Sequence, residues 1–205
     1  FTDMLWVGED GVAVIGKTLT TPGDPSLAVE NALRPVLQDS PVKTQRGTLI
    51  HGTTLVTNAL IERKGAPTAL LTTAGFRDAV EIGREHRYEL YDLNLDLPKP
   101  LVPRHLRFDV PERMAADGSV IQPLDEKFLR RLVAELSANG IKAIGVSYLN
   151  SFRNPAHEKR TAEIIREVAP HIRVSLSSEV VAEIREFQRT STTLANVYVQ
   201  ERVAN

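Results

Sequence analysis

Cysteine is absent from the 205 residues. That excludes disulfides, thiolate metal sites and a cysteine nucleophile, and it is compatible with a reducing, cytoplasmic setting. Long apolar runs are missing as well. No stretch approaches the length of a membrane span, and no secretory leader is visible in the residues given. An excess of one charge is missing too: Lys plus Arg total 25 against 26 for Asp plus Glu. No bulk field therefore draws nucleic acid or an anionic membrane, while local anion sites stay open. The five histidines are scattered, without His-x-x-x-His spacing or a dense carboxylate set, so the sequence suggests no metal cluster. What the chain does have is 42% hydrophobic residues, enough to bury a core in one large or two small domains.

Residues 3–8 and 11–19 alternate apolar and polar around Glu9-Asp10-Gly11, which predicts a β-hairpin. Asp24-Pro25 supplies a cap and a first helical position, with Leu27, Val29, Leu33, Val36 and Leu37 as the apolar stripe. Pro35 is expected to kink or shorten that helix, which should end near Gln38. A strand at 47–51, a helix from Thr54 to Lys64 punctuated by Gly65, and a strand at 68–72 make a strand-helix-strand unit. Residues 83–104, rich in charge, proline and tyrosine, read as a long loop. Strand-like residues 106–112 and the Asp117-Gly118 turn precede a helix at 126–138, where Phe128, Leu129, Leu132, Val133 and Leu136 share a face. A buried strand at 141–149, a helix opened by Asn154-Pro155, a strand at 172–176 and a helix from Ser178 complete the pattern. This second series has its own strand-helix order, which suggests one domain over 1–104 and another over 105–205.

The run His51-Gly52-Thr53-Thr54-Leu55-Val56-Thr57-Asn58 joins a strand end, a glycine turn and a helix start. Gly52 permits close backbone approach, and Thr53 or Thr54 can cap the helix. His51 is a candidate acid, base or hydrogen-bond partner. Thr53, Thr54, Thr57 and Asn58 surround it with neutral groups suited to a cyclic amide or imide ring. The same pattern also serves an ordinary capped turn holding a structural histidine. Arg84 opens the run Arg84-Glu85-His86-Arg87-Tyr88 and reads either as a ligand contact or as part of a solvated charge run. His157 and Glu158 read as solvated positions on an amphipathic helix, and Arg185 to Thr193 as a domain interface or a solvent face.

Six segments, in order, carry a resemblance: the His51 to Gly65 run, Gly75-Phe76-Arg77-Asp78, Glu81-Ile82-Gly83-Arg84, Val110-Pro111-Glu112-Arg113, Ser151-Phe152-Arg153-Asn154-Pro155-Ala156-His157-Glu158, and Glu183 to Thr193. Together they resemble the N-terminal part of the ATP-dependent hydantoinase A and 5-oxoprolinase family, of which the acetone carboxylase beta subunit is a related branch. The resemblance implies an α/β fold: the first half of an actin-like (ribonuclease H-like) ATPase with an added α/β unit. It implies ATP with Mg2+, phosphorylation of a ring carbonyl, and hydrolytic opening of a cyclic amide or imide. It also implies a second ATPase half and a hydantoinase B-like subunit or region as partners, with no nucleic acid and no membrane.

Phe1-Thr2-Asp3 is similar to the last three positions of the family's Asp-x-Gly-Gly-Thr-Phe-Thr-Asp phosphate turn. That likeness implies a nucleotide-facing role for Thr2 and Asp3. His51 and Asp3 become the implied catalytic residues, and Gly52, Thr53, Thr54, Asn58 and Arg84 the implied substrate contacts. The acidic residue and both glycines of the phosphate turn are not among these residues, so this chain alone is expected to be inactive. The strand before that turn would lie between the hairpin and the strand at 47–51, and without it backbone groups on both sides need another partner. A ketone-carboxylase subunit of the same family and a non-catalytic assembly module are the other readings.

Overall fold

The computed structural model describes residues 1–7, 11–21, 23–39, 48–84, 89, 91–96 and 98–203. Glu9 and Asp10 of the expected hairpin turn, Gly47, Glu85 to Tyr88, Leu97 and the side chains of Val36 and Leu37 lie outside them. The chain divides into two compact units, Phe1–Gly52 and Thr53–Asn205.

In the first unit β1 (Thr2–Val7) pairs antiparallel with β2 (Ala13–Thr18), Thr2 opposite Thr18 and Leu5 opposite Ile15. The period of two shows in burial: Thr2, Met4 and Trp6 are half-buried while Asp3, Leu5 and Val7 are exposed. Helix α1 (Pro25–Asp39) packs on this pair. Asp24 Oδ1 accepts from the Ser26 N–H at 3.0 Å in its first turn. The helix runs through Pro35 and ends at Asp39, next to the expected Gln38, giving up one internal hydrogen bond at the proline. The strand expected at 47–51 is not formed at residues 48–51, where Leu49, Ile50 and His51 are exposed. A strand needs a partner row, and among the described residues β1 and β2 pair only with each other.

The second unit is built on a four-stranded parallel sheet. Its strands are β3 (Thr68–Thr73), β4 (Arg107–Val110), β7 (Ala143–Ser147) and β8 (Arg173–Leu176), in the order β4-β3-β7-β8. A short β-ribbon of β5 (Arg113–Met114) and β6 (Val120–Gln122) follows β4. Both central strands are buried at every residue, as a parallel strand covered on both faces must be. On one face Ala69, Leu71, Ile144 and Val146 meet helices α4 (Glu126–Ala138) and α5 (Ala156–Val168). On the other, Leu70 meets Leu194, and Ala143 meets Val197, both from α7 (Glu186–Val203). The fold is therefore mixed α/β with a parallel core, as expected. The expected division at 104/105 falls inside this sheet, because β3 precedes that point and its neighbours β4 and β7 follow it. Hydrogen bonding between strands distant in sequence overrides the local strand-helix order there.

The helices end where chemistry stops them. Asp125 accepts from the Phe128 N–H at 3.0 Å to open α4. Helix α2 (Leu55–Ile61) is shorter than the Thr54 to Lys64 expected, and the one-turn helix α3 (Ala79–Ile82) follows β3. Arg63, at φ 53°, takes the left-handed position, and Lys64 N–H returns to Ala59 O at 2.9 Å, a Schellman closure. Gly65 is needed for another reason: a Cβ there would lie 2.2 Å from Tyr198 Cδ1. Gly65→Ala should therefore cost about 1–3 kcal/mol through overpacking. Urea unfolding checks this, and an unchanged midpoint would show that the Tyr198 ring moves freely aside.

Helices α4 and α5 are clasped by Arg160, whose Nε and Nη2 donate to the two Glu126 carboxylate oxygens at 2.8 Å each. That hydrogen bond holds the Glu126 carboxyl below its usual range. A depressed folded value stabilises above the unfolded one, and the stabilisation is lost as pH falls through the folded value. Arg160→Met should lower thermal stability modestly at neutral pH and flatten its further loss below about pH 4, as midpoints measured across that range would report.

Candidate functional site

The residues singled out in the sequence are spread over the two units. In the first, Thr2 and Asp3 are successive residues of β1, and Asp3 Oδ1 sits 3.1 Å from Lys17 Nζ on β2. His51 and Gly52 are exposed. Gly52 has an ordinary backbone and open space where a Cβ would stand, so the close approach expected of it is not used within the described residues. In the second unit Thr53, rather than Thr54, supplies the turn bond, accepting from the Leu55 N–H at 3.2 Å. Thr54 Oγ1 instead accepts from Asn58 Nδ2 at 3.4 Å. Arg84 faces Gln188 of α7, whose amide oxygen, turned towards it, accepts from the guanidinium.

The dense chemistry lies elsewhere, at the carboxyl ends of the parallel strands, where open α/β sheets gather polar groups. Glu158, near the start of α5, is completely buried. Its Oε1 accepts from Tyr148 N–H at 2.9 Å and Ser177 Oγ at 2.6 Å; its Oε2 accepts from Ser178 N–H at 2.9 Å and Ser178 Oγ at 2.7 Å. Four donors fill the capacity of an ionised carboxylate. Arg189 of α7 is also completely buried. It donates to Ser177 Oγ at 3.1 Å, Glu183 O at 2.7 Å and Tyr148 O at 2.9 Å, and its guanidinium lies 5.5 Å from the Phe152 ring centre. Burial lowers the Arg189 pKa, partly offset by the charges of Glu186 and Glu158. The Tyr148 phenol, 3.0 Å from Thr161 Oγ1, is pushed up by burial. Ser147 and Thr190 hydroxyls meet at 2.7 Å, and those of Ser151 and Ser177 at 3.0 Å.

A second cluster flanks this one. Glu112, just past β4, has a fully buried side chain whose Oε1 accepts from the hydroxyl of Thr73, the last residue of β3. Its Oε2 meets His157 Nδ1 at 2.7 Å. In the 3-10 turn before β4, Arg104 donates twice to Asp78 at 2.9 Å, and at the start of β4 Arg107 donates to Glu81 at 2.7 Å; the Arg104 hydrogen bond holds the Asp78 carboxyl low. These pairs border a cavity of about 600 Å3 lined by Arg77, Arg104, Arg107 and Phe128 among others. Its arginines already face carboxylates, so charge there is balanced.

A model of the hydantoinase/oxoprolinase N-terminal region matches residues 1–169. The chain belongs to that family. It is 35% identical to the caprolactamase subunit alpha of Pseudomonas jessenii over 97% of its own length and 30% of the relative's. Identity to an uncharacterized protein of Methanocaldococcus jannaschii is 37%, over 100% of this chain and 30% of the other. The crystal structure of the ATP-dependent caprolactamase from P. jessenii superposes with a TM-score of 0.87 at 34% identity, and nucleotide-free acetone carboxylase with 0.81 at 30%. Those superpositions cover 100% and 97% of this chain, and 30% of each neighbour.

The hydantoinase/oxoprolinase motifs recognised in the sequence are the same residues that build the buried clusters: Glu112 from one, Ser151, His157 and Glu158 from another, Arg189 and Thr190 from a third. Glu158 is thus not solvated and His157 is largely enclosed, and within Arg185 to Thr193 the residues Arg189, Thr190 and Thr193 are buried in their own unit while Arg185 is exposed. A periodic signal existed for both. Glu158 shares its face with Ala162 and Ile165, four and seven residues on, and Arg189 with Thr193 and Val197, four and eight on.

Breaking a buried, hydrogen-bonded charge cluster on one side typically costs 3–5 kcal/mol. Glu158→Gln places an amide donor against the donors of Ser177 or Ser178, and should lose about that much in urea unfolding. Gly52→Ala, with open space at its Cβ, should stay within about 0.5 kcal/mol of the parent. A neutral Glu158→Gln would remove the network from the account.

Proposed function

We propose that the full-length protein containing this chain opens a cyclic amide or imide ring in an ATP-dependent hydrolysis. The observation that supports it is the joint match, in sequence and fold, to a caprolactamase whose structure is described as ATP-dependent. The chain spans 30% of such relatives, so activity, substrates and partners are properties of a longer protein. ATP would supply a phosphoryl group that makes the ring carbonyl oxygen a leaving group. Within this chain Thr2 and Asp3 are adjacent on a regular strand and differ in exposure, and Asp3 is paired with Lys17; side chains in that arrangement point to opposite faces. They do not form a cradle for nucleotide and Mg2+ by themselves, which is in keeping with a site completed by other regions of the full-length protein.

For the ring itself, His51 is the proposed acid–base group, with Gly52, Thr53, Thr54, Asn58 and Arg84 as proposed substrate contacts. Neutral hydroxyl and amide groups suit a neutral ring that both donates and accepts hydrogen bonds. A hydantoinase B-like subunit is the proposed partner, supported by a relative named as a subunit alpha. Ketone carboxylation is a second reading, favoured by the 0.81 TM-score to acetone carboxylase.

Full-length protein should release ADP with caprolactam, 5-oxoproline or a hydantoin, and His51→Ala should lower that rate about 10²-fold or more with little change in thermal midpoint. ADP release only with acetone and bicarbonate would move the assignment to the carboxylase reading. Release with no compound of either class would favour a non-catalytic assembly role. The 205-residue chain alone should be inactive in the same assay.

A further inference from the structure

The bonds running from Leu149 to His157 fix their protons one at a time. The Leu149 N–H donates to Thr73 Oγ1 at 2.8 Å. Thr73 has one hydroxyl proton, and it is directed to Glu112 Oε1. Glu112 is buried, and its Oε2 lies 2.7 Å from His157 Nδ1. An ionised carboxylate can only accept, so the Nδ1 carries a proton. His157 Nε2 has no protein partner among the described residues, and none of their buried side-chain nitrogens or oxygens is left without one. Nε2 is therefore open to solvent, consistent with a ring whose side chain is 12% exposed beside a carboxylate that is 0% exposed.

This arrangement differs from the rest of the polar network. Glu158, Ser177 and Arg189 spend their hydrogen bonds on one another and on the backbone. The Glu112 branch ends on an atom that faces outward. A carboxylate holding one imidazole nitrogen fixes the tautomer and the direction of the other. It does so beside Thr73, at the carboxyl end of a central parallel strand, where ligands of open α/β sheets bind.

We propose that His157 is a second proton acceptor of this protein, separate from the His51 turn. Nδ1–H is locked on Glu112, and Nε2 is offered to the O–H or N–H of a neutral polar ligand. Glu112 and Thr73 are its positioning residues. The proposal rests on the ring-opening reading only in naming that donor as a substrate amide N–H or the water that attacks it. The proton moves from the donor to Nε2 while the Nδ1 proton stays on the bond to Glu112, so the ring becomes imidazolium and no other reactant is consumed.

Nitrogen-15 correlation spectra of the histidine rings in the 205-residue chain, recorded at about pH 8.5 where a free imidazole is neutral, test the lock without any assay. His157 should appear as the Nδ1–H form and move towards the Nε2–H form in Glu112→Leu. An Nε2–H ring in the unaltered chain overturns the proposal. In the full-length protein, His157→Asn keeps an amide donor for Glu112 but lacks the outer nitrogen. It should lower kcat about 10²-fold with an unchanged thermal midpoint, and a full kcat would show that Nε2 does no chemistry and overturn the proposal. If the unaltered full-length protein turns over no ring substrate, the ring-opening reading fails, and the ring spectra then decide the His157 proposal alone.

Discussion

A single buried carboxylate organises the larger unit. Glu158 is removed from water and surrounded by donors from the β7–α5 loop and the start of α6 (Ser177–Val180). Those donors come from two separate parts of the chain, so satisfying one charge fixes the relative positions of a strand end, two helix starts and, through Ser177 Oγ, the guanidinium of α7. Desolvating a carboxylate and a guanidinium is expensive, and partial satisfaction would leave a buried charge worse off than an apolar core. Among the described residues no buried side-chain polar atom lacks a partner. The arrangement is all-or-none, which lets a small parallel sheet hold a defined polar end.

The sheet explains why that end is the polar one. Parallel strands bring their carboxyl termini to one side, and Thr73, Glu112, Ser147 and Ser177 stand at or just beyond four such termini. The apolar layers hold the strands from both faces, with Leu129, Ile144 and Ile165 on one side and Leu70 and Leu194 on the other. Packing positions the polar groups, and the polar groups in turn fix α7 against the sheet. The resemblance motifs coincide with this junction, which gives a physical reason for those residue types at that spacing.

Much of this was legible before any coordinates. Alternation gave the strands of the hairpin, a capped apolar stripe gave α4, and Asn154-Pro155 marked the start of α5. Three things were not. The segment at 48–51 has a strand-like composition but no ladder among the described residues, and strand formation is a property of pairs, which one segment's sequence does not encode. The 104/105 division followed local order, whereas β3 pairs with strands far along the chain. Glu158 was assigned to solvent because charge usually is, and Arg189 to a domain interface or a solvent face; their place on the apolar stripes of α5 and α7 was the contrary signal. Of the motif residues, Thr53 accepts the Leu55 N–H, one of the two alternatives expected, Gly52 has open space at its Cβ, and His157 is held by Glu112 where a solvated position was expected.

Native-state hydrogen exchange at Tyr148 and Ser178, whose amides donate to the two Glu158 oxygens, tests the central claim most directly. If the buried carboxylate holds the carboxyl end of the sheet together, both amides exchange only through global unfolding, with the same opening free energy as the core amide of Ile144. Exchange at Tyr148 and Ser178 through a local opening, with Ile144 still protected, would contradict it.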